Sequence, residues 1–150
     1  MLEVRRVQNF SRKYTGLDTL IRIDGYFFRI DSAGAVNGPA FMLSKNGEFR
    51  TTHLYLENHI QIQERFKTNR RHSRIRRGSY ALSGDTITAR WVSRFDLMSY
   101  DIFSSRFIIL NDTTLKEIWH FCETGCGQIE QPDPVRSDIY RFFQFDVDVE

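Results

Sequence analysis

The sequence predicts an all-β fold: an antiparallel up-and-down meander of about eight strands, closed into a barrel, with little helix. Three observations predict it. Apolar and polar residues alternate through much of the chain, as strands with one buried face require. Turn dipeptides of hairpin type separate neighbouring runs, notably Asn46-Gly47 and Gly84-Asp85. Aromatic residues make up 14% of the chain, with 13 phenylalanines, and large rings suit pleated, half-buried surfaces.

The stretch Gly78 to Val92 has the clearest grammar. Tyr80 and Leu82 alternate with Ser79, Ala81 and Ser83, and after the turn Ile87, Ala89 and Trp91 alternate with Thr88, Arg90 and Val92. Glycine at the first central position, Gly84, suits a type II′ turn. Residues 1–19 read as a polar N-terminal arm, short helix or coil, and 20–150 as one barrel domain. Leu20 to Ile30 is the first strong strand, and Gly25 within it marks a bulge, a bend or a close backbone approach. Phe41 to Leu43 is a short strand. Asn46-Gly47 after it predicts a type I′ turn, with Phe49 to Leu56 as the returning partner. Leu56 to Phe66 fits both periods: Ile60 and Ile62 alternate, while Ile62 and Phe66 stand four apart. The reading leans to a strand. Lys67 to Arg77 is a basic loop or ragged edge, and Arg94 to Ser105 a loose connection. Phe107 to Leu110 and Leu115 to Cys122 form a hairpin around Asn111-Asp112-Thr113. Cys122 to Asp138 is a long loop, and Ile139 to Val149 is the last strand, as apolar as the first and able to pair with it. A closed meander removes exposed edges. A two-sheet sandwich is the alternative.

The run Ile23-Asp24-Gly25-Tyr26-Phe27, then Asn46-Gly47, Gly78-Ser79-Tyr80, Gly84-Asp85-Thr86-Ile87 and Phe107 to Thr113 resembles the small lipocalin-like barrels common in bacterial cell envelopes. Many of those are lipoproteins of unknown function. Gly25-Tyr26-Phe27 stands where true lipocalins carry Gly-x-Trp. The resemblance implies a barrel and a small-molecule binding role, with placement in the envelope or periplasm if a leader was removed. If Met1 is the native start, the expectation is cytoplasmic.

A barrel of eight strands is either filled by side chains or holds one small ligand. The inward candidates are Tyr80, Leu82, Ile87, Trp91, Phe107, Leu115 and Trp119, of which Leu115, Glu117, Trp119 and Phe121 share one face of their strand. They would line an apolar pocket or fill a solid aromatic core. The leading function is therefore a binding module for a small apolar or amphipathic ligand.

The alternative is a solid-cored interaction protein. The net charge is +2, yet seven basic residues and no acid lie between Arg65 and Arg77. Arg70, Arg71, Arg74 and Arg76 would form a surface for a protein or anionic partner; a solvated, gatekeeping loop is the plainer reading. Nucleic acid is not the expected partner, because only Phe66 lies inside the run, with Tyr80 just beyond it. Cys122 and Cys126 are open to three readings: a disulfide closing a small loop, free thiols at a strand end, or metal ligands with His120. The disulfide is kept as a candidate and no metal site or cofactor is expected. No Ser-His-Asp order, glycine-rich phosphate loop or paired-carboxylate motif stands out, so enzyme activity is not expected. An enzyme would need perturbed polar groups inside the barrel mouth, for which Glu117, His120 and Arg90 are the raw material. No stretch approaches the ~20 apolar residues of a spanning helix. Oligomeric state is not readable.

Overall fold

The computed structural model describes residues 13–30, 36–52, 59–67, 75–94, 100–124 and 133–145, the side chains of residues 30, 36–38 and 94 excepted. Eight strands are present: β1 (Gly25–Ile30), β2 (Val36–Leu43), β3 (Glu48–Thr52), β4 (Ile75–Ser83), β5 (Thr86–Arg94), β6 (Tyr100–Asn111), β7 (Thr114–Thr124) and β8 (Val135–Gln144). A 3-10 turn, Leu17–Thr19, precedes β1, and one helix, α1 (His59–Lys67), lies between β3 and β4. Each strand pairs antiparallel with the next, and β8 pairs with β1, so the meander is a closed barrel. Closure satisfies both edges, as the matched apolar character of the first and last strands led one to expect.

Two tight hairpins fix the register. Ser83 pairs with Thr86 around Gly84-Asp85. Gly84 has φ 60 and Asp85 is not left-handed, which is the II′ pattern. The turn at Asn46-Gly47 is not type I′, because no described residue other than glycine has positive φ. Gly47 alone is left-handed, at φ 92, and closes a three-residue loop between Ser44 and Glu48. The Ser44 side chain organises that loop: its hydroxyl donates to the Asn46 side chain and accepts from the Glu48 N–H at 2.9 Å. Those local bonds favour the three-residue form.

The interior is built from alternate residues of every strand. Phe41 is its centre, with ring centroids 5.5 Å from Phe27, 4.8 Å from Phe107 and 5.0 Å from Tyr140. Each fully buried ring of this kind contributes about 2–3 kcal/mol of hydrophobic stabilisation. One end is plugged by Leu17, from the segment read as a short helix or coil, and by Ile21, from the stretch read as the first strand. Leu17 is 0% exposed and joins the barrel core with Ile21. Tyr80 anchors the plug, donating to the Ser44 carbonyl at 2.5 Å and lying 2.7 Å from the Thr15 hydroxyl. Leu20, by contrast, is exposed, so the first strand starts at Gly25.

A second apolar layer lies outside the barrel. The expected strand over 56–66 is a helix from residue 59. Ile62 and Phe66, four apart, fall on one helical face and cover Tyr26, Phe28 and Ala40 on the outer wall. Ile60, the other member of the apparent alternation, is 68% exposed. This layer explains why β1 and β8 are apolar on both faces: Phe27, Tyr140 and Phe142 serve the interior, while Tyr26, Phe28 and Phe143 lie under α1.

β6 starts at Tyr100, well before the expected Phe107, and β8 at Val135, before Ile139. At this end of the barrel inward positions carry Asp101, Ser105 and other polar groups, so the apolar alternation that marks a strand fades while the strand continues. β7 holds the largest departure from the expected faces. Phe107 pairs with Glu117 but the adjacent Arg106 pairs with Trp119, which leaves one extra residue, Ile118, on β7. The bulge reverses the faces beyond it. Leu115 and Glu117 are buried inward, while Trp119 lies outside beneath the Arg106 guanidinium, 5.3 Å from its ring centroid. Trp119 is therefore not an interior residue, and His120 takes its place.

Candidate ligand site at the polar end of the barrel

The two halves of the interior differ in chemistry. The plugged half is filled by apolar side chains, with Ile87, Phe107 and Leu115 fully buried and Leu82 packed against them. The other half contains polar groups from four strands and a cavity of about 360 Å³. Its lining includes Pro39 from β2, Thr51 and Thr52 from β3, and Arg76 from β4. Trp91, Phe103 and His120, from β5, β6 and β7, complete it. That volume is near the lower end of small-molecule pockets, roughly 300–1,000 Å³.

Three rings form one wall. Phe103 stacks on Trp91 at 5.7 Å and 18° and on His120 at 5.7 Å and 16°. Trp91 also leans on Phe49, at 5.1 Å, beside Gly78. Arg76 and Thr51 are register partners on β3 and β4. Arg76 shares the inward parity of Gly78 and Tyr80, which places it in the cavity and not on an outer basic surface. Burial pulls its pKa down, and the nearby charge of buried Asp101 partly restores it. Among the described residues no carboxylate lies within 4 Å of Arg76, whereas Arg29, Arg50 and Arg90 each have one.

Beneath the ring wall runs a chain of polar groups. The Ser105 hydroxyl is 2.8 Å from His120 Nδ1, and the Ser105 side chain also acts on Glu117. Glu117 is 7% exposed. Burial raises its pKa to about 7; the Ser105 hydrogen bond, Arg136 and Arg29 oppose the rise, and Asp138 adds to it. Burial lowers the His120 pKa, helped by Arg136 and opposed by Asp138.

Of the seven residues expected to face inward, Tyr80, Leu82, Ile87, Trp91, Phe107 and Leu115 do so, and Trp91 lines the cavity. Tyr80 is committed to the plug. Arg90 lies on the outer wall, bonded to Glu123 at 2.5 Å. Of the four arginines assigned to a partner surface, Arg76 is internal, and Arg70, Arg71 and Arg74 lie outside the described residues. Cys122 is disulfide-bonded and buried; Cys126 lies outside the described residues. Among the described residues no three His, Cys, Asp or Glu side chains group as metal ligands. Sequence reasoning missed Thr51, Phe103 and the inward role of Arg76. The signal for Arg76 was its even spacing from Tyr80, hidden by the surrounding run of arginines.

A larger cavity, about 450 Å³, lies at the plugged end against Met42, Leu43 and the β2–β3 turn. Its Arg50 and Glu48 pair with each other at 2.9 Å, and Asp18 and Lys45 also line it, with no aromatic ring. The cavity of about 360 Å³, where polar and aromatic groups converge, is the better candidate. Among the described residues no helix is long and apolar enough to cross a membrane. Comparison of the chain with protein-family models, curated proteins and solved structures finds no match.

Proposed function

We propose that this protein is a binding module that holds one small amphipathic molecule in the polar end of its barrel. The apolar part of the ligand lies against Trp91, Phe103 and His120, and its polar part meets Arg76 and Thr51. The observation that carries the reading is the cavity of about 360 Å³, where aromatic and polar side chains converge. The lipocalin-like turn and strand motifs support the same role. Binding is preferred to turnover because Glu117, the strongest acid–base candidate, is not among the cavity-lining residues.

The chain's two tryptophans make a test, since Trp91 lines the cavity and Trp119 lies outside the barrel wall. Titration with 1-anilinonaphthalene-8-sulfonate is expected to quench tryptophan emission saturably at one equivalent. The Trp119→Phe variant should keep that response and Trp91→Phe should lose it. A response that follows Trp119, or one that never saturates, would contradict the proposal.

A further inference from the structure

The geometry points to a carboxylate-bearing planar molecule as the ligand, its carboxylate on the Arg76 guanidinium and its ring on the Trp91–Phe103–His120 wall. This rests on the proposed binding role and adds the chemical class. Arg76 has inward parity on β4, half-buried, beside Thr51. A guanidinium taken out of water without an ion pair within 4 Å lacks the partner that its planar fork of donors matches best. Asp101 faces it from β6 but stands beyond that distance, so it stabilises the charge without occupying the fork. A carboxylate entering from the cavity would complete a bidentate, charge-assisted pair, shielded from water by the barrel wall. The neighbouring aromatic wall on β5, β6 and β7 selects the rest of the molecule. Phe103 and His120 are within 16° of parallel, and Phe103 and Trp91 within 18°, which presents ring faces and edges suited to a flat apolar body.

Binding of 2-naphthoate and its neutral isostere 2-naphthamide, measured by calorimetry at pH 7, tests the assignment. The wild-type protein is expected to prefer the carboxylate by about 10-fold or more, the scale of a charge-assisted pair. Arg76→Gln should bind both compounds equally, at the wild-type affinity for the amide, and this residual binding reports that the variant is folded. Arg76→Lys should retain part of the preference, and Arg77→Gln, at an exposed outer position, should retain all of it. If wild type binds both compounds equally, or if Arg76→Gln keeps the preference, the anion assignment falls while the binding role stands. If wild type binds neither, both fall together.

Discussion

Gly25→Ala is expected to open the barrel at its closing seam. A Cβ at this position would stand 2.0 Å from the Phe143 carbonyl oxygen and 2.8 Å from Gln144 Cα. Both are backbone atoms of β8, paired with β1 through Gly25 and Gln144, so no side chain can rotate away to relieve the clash. The strands must separate where the meander closes, and the Tyr26 and Phe27 pairings beside the site are drawn into the same displacement. The expected loss is about 4 kcal/mol or more, in the range reserved for disrupted cores and backbones. Gly84→Ala is the internal comparison. Its Cβ would meet nothing within 4 Å, so only the left-handed φ of 60 is strained, at a cost of about 1 kcal/mol. Urea denaturation of the three proteins measures the difference. A Gly25→Ala midpoint as close to wild type as that of Gly84→Ala would contradict the closed β1–β8 seam.

Glu117→Gln is expected to change the pH dependence of stability. The folded pKa of Glu117 is raised from 4.5 to about 7, chiefly by burial. Its carboxyl therefore favours the folded state when protonated. Below pH 4.5 both states carry the proton. As the pH rises towards 7 the unfolded chain releases it first, and stability falls until the folded carboxyl also ionises. The accumulated loss is about 3 kcal/mol by linkage. His120 acts in the opposite sense, because its lowered pKa makes the folded state weaker on the acid side of its ordinary 6.5. Comparing wild type with Glu117→Gln cancels most of that contribution. The stability difference between them should move in favour of the variant by about 3 kcal/mol between pH 4.5 and 8. Parallel profiles would show that Glu117 titrates as an exposed carboxylate.

Much of the fold was legible because local chemistry and the tertiary structure agree. Tyr80, Leu82, Ile87 and Trp91 alternate around a turn with glycine in the position a II′ turn requires, and those residues do face the interior. The first and last strands close the barrel, as their shared apolar character indicated. What was not legible depends on distant partners. Ile62 and Phe66 form a helical face only because Tyr26 and Phe28 await cover on the outer wall. Trp119 obeys the inward alternation of Leu115 until the bulge at Ile118, which no local signal marks. The candidate site was hidden for a further reason. Arg76 and Ser105 fall in stretches without hydrophobic alternation, so those stretches read as a loop and a connection, and the arginine as part of a basic surface.

The most direct measurement of the central claim is native mass spectrometry of the protein purified from its own host, beside a Thr51→Trp variant whose added ring fills the cavity. The account predicts a single small molecule on the wild-type chain at near-unit stoichiometry and none on the variant. A wild-type chain without any adduct, or an adduct that Thr51→Trp retains in full, would contradict it.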